Sequence, residues 1–173
     1  KMEVIYHGLD VDLCKKADSP VRYSQNQIVV VARLKKFKGH RFLIEAVKSL
    51  SAEIPNLKLV ILGEGEEMNN LVTMVNDYKL SQWIVFAGYT DDVFNYIKGS
   101  DIVVAPSLAE PFGLTILEAY SCAKPVVAFN VTAFDETVID NETGFLVLLY
   151  SIGVLAGKIK WRLQNKTANK ESR

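Results

Sequence analysis

The sequence predicts an α/β fold: one domain built on a doubly wound, Rossmann-like parallel sheet. Three observations carry that expectation. Short runs of β-branched and apolar residues recur along the chain and are apolar throughout, the pattern of strands covered on both faces. The segments between them place apolar residues at helical spacing. The two patterns alternate from Gln27 to Val147 with no internal repeat and no low-complexity stretch. A chain of 173 residues can bury one core, and 49% hydrophobic with 23% charged residues makes it globular.

Each element has its own reason. Gln27-Ile-Val-Val-Val-Ala-Arg33 is β-branched and reads as the first clear strand. From Gly39 to Ile54, Phe42, Leu43, Ala46, Val47 and Leu50 recur at helical spacing. Leu57–Leu62 is the next strand, ended by Gly63-Glu-Gly65. Leu71, Met74, Val75 and Tyr78 mark a helix, and Ile84–Ala87 a strand. A short helix is expected from Asp91 to Lys98, with Asp91 as its N-cap. Ile102–Ala105, closed by Pro106, and Pro125–Phe129 are strands on either side of a helix that begins after Gly113. Gly144–Val147 is the last strand. The first 26 residues are less regular and are expected to form a leading strand from Val4 and a loop. Right-handed crossovers put every loop that follows a strand on one sheet edge, where ligands bind. Arg33, Gly63, Gly88 and Glu110 are therefore expected to gather there.

Bulk properties exclude several functions. Lys plus Arg and Asp plus Glu each total 20, so no overall charge draws nucleic acid. Cys14 and Cys122 are distant in sequence and His7 and His40 stand alone, so neither a zinc site nor another metal site is expected. A reduced, cytoplasmic protein is the economical reading. Three Asn-x-Thr triplets, at Asn130, Asn141 and Asn165, match glycosylation sequons, a pattern that also arises by chance. Phe145–Ala156 is the longest apolar run, with Lys158, Lys160 and Arg162 after it. It is too short to span a membrane and reads as a strand running into an amphipathic helix. Contact with a membrane surface or a partner domain is the alternative for this run.

Chemistry concentrates in two segments. In Glu110-Pro-Phe-Gly-Leu-Thr-Ile-Leu-Glu118 two carboxylates stand eight positions apart, the first in a tight loop and the second about a turn into a helix. Free N–H groups at that helix start attract phosphate. Helical side chains lean toward the N-terminus, so Glu118 reaches back toward the same spot. Carboxylates near a helix start also serve simply to stabilise its dipole. The second segment, Arg33-Leu-Lys-Lys-Phe-Lys-Gly-His-Arg41, holds five cations and no acid and leads into a helix, the unfavourable end of the dipole for positive charge. An external anion would stabilise it; a solvated basic loop is the plain alternative. Gly63-Glu-Gly65 lacks the third glycine of the dinucleotide fingerprint, which argues against NAD.

Together these motifs resemble the retaining glycosyltransferases of family 4. The resemblance covers roughly residues 5 to 147 and is carried by Arg33-Leu-x-x-x-Lys38-Gly39, Gly63-x-Gly-x-Glu67, Phe86-Ala-Gly-Tyr-Thr90, Glu110-x7-Glu118, His7-Gly-Leu-Asp10, Pro125-Val-Val-Ala128 and Thr143-Gly-Phe-Leu-Val147. It implies a GT-B enzyme of two domains, of which this chain is the C-terminal, donor-binding half, with the N-terminal acceptor-binding domain absent. By the match, Arg33 and Lys38 bind the donor diphosphate, Glu110 the sugar hydroxyls and Glu118 the ribose. Thr90 meets the nucleobase through its main chain, and Gly63, Phe112, Gly113 and Leu114 complete the donor site. Arg33, Lys38 and Glu110 are the implied catalytic groups. The partner is a nucleoside-diphosphate sugar, with no cofactor and no metal. Two departures stand out. Val131-Thr-Ala-Phe134 replaces a Gly-Gly turn, which predicts a loop further from the donor, and Leu148-Leu-Tyr150 continues apolar where the family turns polar. Other readings are a non-catalytic nucleotide-binding module and an epimerase or phosphorylase of similar fold.

Overall fold

In the computed structural model, residues 8–166 are described. The leading strand expected from Val4, together with His7 and Thr167, lies outside them. Helix α1 (Val11–Lys16) opens the described chain, where a loop was expected; Asp10 caps it by accepting from the Asp12 N–H. Then come β1 (Asn26–Val31), α2 (His40–Leu50), β2 (Leu57–Leu62), α3 (Met68–Asp77), β3 (Ile84–Gly88) and α4 (Val93–Gly99). The second half holds β4 (Ile102–Ala105), α5 (Leu114–Ser121), β5 (Val126–Phe129), α6 (Thr132–Asp135), β6 (Gly144–Val147) and α7 (Ile152–Gln164). A 3₁₀ turn, Lys36–Lys38, precedes α2.

Six strands form one sheet in the order β3-β2-β1-β4-β5-β6, with every pairing parallel. The expected Rossmann-like architecture is therefore present. Helices α2, α3 and α7 cover one face, where Ile28, Leu43, Leu59, Val104 and Leu155 pack together. The other face, under α1, α4, α5 and α6, joins Val29, Ile97, Val103, Ile116 and Phe134. Successive residues of β1 thus enter opposite cores, which is why the strand is apolar throughout.

Two local expectations need correction. Asp92, not Asp91, occupies the N-cap of α4. The Thr90 hydroxyl accepts from the Asp92 N–H and delays the helix start, while Asp91 accepts from the Tyr89 hydroxyl at 2.6 Å. The segment 132–135 is a helix rather than a plain loop, and its Phe134 is buried. Among the described residues no helix is long and apolar enough to cross a membrane. The Phe145–Ala156 run divides into β6, an exposed turn at Leu148–Tyr150, and the first turn of α7, with the Tyr150 ring edge-on to Phe42 at 5.5 Å.

Candidate functional site

The strand order places the site. From β1 the chain winds outward through β2 and β3, then returns to the other side of β1 as β4. The loops leaving β1 and β4 therefore diverge from adjacent strands and open a crevice at the carboxyl edge. The β1 loop carries Arg33 and Lys38, and the β4 loop carries Glu110, Phe112 and Gly113.

Gly39 brings the two loops together. Its φ of 72° is left-handed, and a Cβ there would lie 1.8 Å from the Pro106 carbonyl oxygen just after β4. The Leu108 N–H donates to the Phe37 carbonyl at 2.7 Å, a second stitch between the loops. Held in this way, Lys38 Nζ reaches Glu110 Oε2 at 2.5 Å, with both side chains largely shielded from solvent. Two residues 72 positions apart, assigned from separate motifs, thus form one ion pair.

Arg33 stands apart from that pair. It is exposed, and its guanidinium has no hydrogen-bond or ion-pair partner among the described residues. With Val31, Gly63, Tyr89 and Thr90 it lines an open cavity of about 390 Å³ over the ends of β1, β2 and β3. Gly63 allows this close packing of loops: its φ is 131°, and a Cβ would meet the Ala32 carbonyl oxygen at 2.0 Å. The loops are bonded in series, Ala32 N–H to Leu62 carbonyl and Gly63 N–H to Gly88 carbonyl. The Gly63 N–H is therefore already used within the protein.

Glu110 and Phe112 line a second cavity, of about 440 Å³, with Thr132, Ala133 and Glu136. The sequence reading assigned none of these last three to the site, and it expected the 131–134 segment, which holds Thr132 and Ala133, to lie further away. Phe134 explains the difference: its buried ring packs on Gly113, whose hypothetical Cβ it would meet at 2.7 Å, and this draws α6 onto the start of α5. An apolar residue two positions after a threonine was the only signal available in the sequence.

Gly113, at φ 85°, begins α5 without a side-chain cap. The first N–H groups of α5, including that of Leu114, have no acceptor within the helix. Thr115 donates from its hydroxyl to the Val31 carbonyl, which fixes this face of α5 against the end of β1 beside the first cavity. Glu118 lies one turn further along the same face. It is largely buried, and no side-chain partner holds it among the described residues. Burial alone raises its carboxyl above the usual range. The structure therefore gathers the assigned residues at one edge but not in one cavity: Arg33, Gly63 and Thr90 line the first, Glu110 and Phe112 the second, and Lys38, Gly113, Leu114 and Glu118 line neither. No group of three or more metal-ligating side chains occurs among the described residues.

His40, which the sequence reading did not use, is buried at the start of α2 with neither ring nitrogen bonded. Burial, and secondarily the Lys38 charge, lowers its pKa to about 4. As pH falls through 6.5 the unfolded chain takes up a proton that the fold refuses. Stability is then lost down to about pH 4, by about 3 kcal/mol in all. Urea unfolding at pH 7 and pH 4.5 checks this. His40→Leu is expected to lose distinctly less stability over that interval than the parent; equal losses would dismiss the assignment.

Comparisons with known proteins identify the family. The family profile described as "Glycosyl transferases group 1" matches residues 15–173. The chain is 35% identical over 131 residues to the lipopolysaccharide core biosynthesis glycosyltransferase LpsE of Rhizobium meliloti (strain 1021), covering 76% of this chain and 36% of that protein. It is 28% identical over 170 residues to the glycogen synthase of Mycobacterium tuberculosis (strain H37Rv), covering 97% of this chain and 41% of that one. The crystal structure of Anabaena HepE in complex with UDP superimposes with a TM-score of 0.83 at 26% identity, over 96% of this chain and 50% of HepE. The chain thus spans well under half the length of these curated relatives and half of HepE. With a profile match over nearly the whole chain and a sheet shared with a UDP-bound structure, the chain belongs to the glycosyl transferases group 1 family.

Proposed function

We propose that this chain is the donor-binding domain of a retaining glycosyltransferase of family 4, taking a nucleoside-diphosphate sugar without a metal ion. The observation that carries the reading is the crevice itself. An unpaired arginine, a shielded Lys38–Glu110 pair and an unpartnered, desolvated Glu118 all stand at the one sheet edge where ligands bind. The group 1 family and the UDP held by HepE favour a nucleotide sugar, with UDP the first probe.

In this reading Arg33 and Lys38 hold the diphosphate and stabilise charge developing on the leaving phosphate, helped by N–H groups at Gly113 and Leu114. Glu110 accepts from sugar hydroxyls and Glu118 from the ribose. The Thr90 main chain meets the base beside Gly63, and Phe112 closes the sugar side with Glu110. The acceptor is assigned to a second domain, so the chain alone binds donor but transfers little or no sugar. One wall cannot hold an acceptor in attack geometry.

Calorimetry with UDP and uridine in EDTA tests the donor site. Binding that appears only with added Mg²⁺ would refute the metal-free reading. Arg33→Ala is expected to weaken UDP by roughly 1.5–3 kcal/mol and leave uridine unchanged, because only UDP brings the phosphates. Glu118→Gln should weaken both ligands alike. If the two variants share one ligand dependence, the roles are misassigned. Robust transfer to a defined acceptor by the purified chain would show that the acceptor site lies within it. A non-catalytic nucleotide-binding module is the second reading, favoured by absence of transfer even after a complete GT-B partner domain is supplied.

A further inference from the structure

Cys14 and Cys122 are 108 residues apart in sequence, yet their sulfurs lie 2.7 Å apart, both buried and both free. We propose that they are a disulfide-forming pair, a modification site that fastens α1 to the end of α5.

The placement follows from the two helices. Cys14 is the only buried residue of α1, so the helix is seated on the domain chiefly through that side chain. Cys122 caps α5, and its N–H is bonded to the Glu118 and Ala119 carbonyls, so its backbone is held. Both thiols belong to the same apolar core, with Ile97, Ile116 and Ala119. From 2.7 Å the sulfurs need only a small approach to reach a bond of about 2 Å.

The chemistry is thiol–disulfide exchange with a small-molecule disulfide such as oxidised glutathione. Local opening of α1 exposes Cys14, whose thiolate attacks one sulfur of the reagent and releases one glutathione thiolate. Before α1 reseats, the Cys122 thiolate, uncovered by the same opening, attacks the Cys14 sulfur of the mixed disulfide and releases the second, and α1 then closes over the new bond. Two protein thiols become one disulfide, one glutathione disulfide becomes two thiols, and the two protons pass to the released thiolates. Burial pushes the Cys122 thiol up to about 12, so exchange in the closed state is slow and opening of α1 sets its rate. The proposal is independent of the donor-site reading.

The test is incubation of the folded chain with oxidised glutathione, an acid quench, then intact mass and a thiol count under denaturing conditions. The expected product is a monomer lighter by two hydrogens, with no free thiol and a Tm raised on the order of 5–10 °C, because the bond closes a long loop. Dithiothreitol should restore the original Tm. Cys14→Ala and Cys122→Ala should show no such rise. Two glutathione adducts, two thiols still titratable, a disulfide-linked dimer, or the same Tm rise in the single variants would each overturn the proposal. The mass and thiol count of the parent decide it even where a variant folds poorly.

Discussion

Replacing Gly39 by alanine is expected to cost about 3 kcal/mol of stability or more, a fall in Tm of roughly 10 °C. Two terms add. The left-handed φ of 72° is unfavourable for any residue with a Cβ, and that Cβ would overlap the Pro106 carbonyl oxygen at 1.8 Å. The second term cannot relax through a side-chain rotation, because the obstructing atom is backbone. The β1 and β4 loops must separate, so the Lys38–Glu110 pair should be lost together with the stability. Gly153→Ala is the internal control. It lies in α7 with nothing within 4 Å of its added Cβ, so it should stabilise slightly, by up to about 1 kcal/mol. Thermal unfolding of the two variants decides the matter: shifts of the same sign and size would mean that the contact between the loops does not govern this edge.

The second large effect is on binding. Lys38→Ala should weaken UDP by about 1.5–3 kcal/mol, the scale of hydrogen bonds to a charged group. The ion pair makes the companion variant more informative. Glu110 holds Lys38 at 2.5 Å, with both side chains shielded. A diphosphate must compete with that carboxylate. Glu110→Gln removes the competitor and leaves the lysine, so UDP should bind as tightly as to the parent or tighter, while a UDP-sugar should gain less or lose affinity. Lys38→Ala and Glu110→Gln are thus expected to move UDP affinity in opposite directions. Calorimetry with both ligands measures it, and a loss of UDP affinity in Glu110→Gln comparable to that in Lys38→Ala would remove the competition.

Much of this was legible before any coordinates. Strands buried on both faces have a single signature, continuous apolar and β-branched runs, and β2, β4 and β6 begin and end where those runs do. Once the alternation of strands and helices was read, handedness alone put Arg33, Gly63 and Glu110 on one edge. Two misses were local and came from short-range hydrogen bonding: the Thr90 hydroxyl moved the start of α4, and Asp10 built α1 out of a segment with little apolar periodicity.

The sequence by itself determined the sheet, the glycosyl transferases group 1 membership and the chemical kinds of group at the carboxyl edge, because periodicity and motif spacing are properties of the chain. Only the tertiary structure decided which groups meet. Lys38 meets Glu110 because Gly39 lets two loops touch; Thr132 and Glu136 join Glu110 because Phe134 packs on Gly113; Cys14 meets Cys122 because one side chain seats α1. Each is a contact between residues far apart in the chain, set by how closely backbones approach, and no pattern in one dimension encodes that distance.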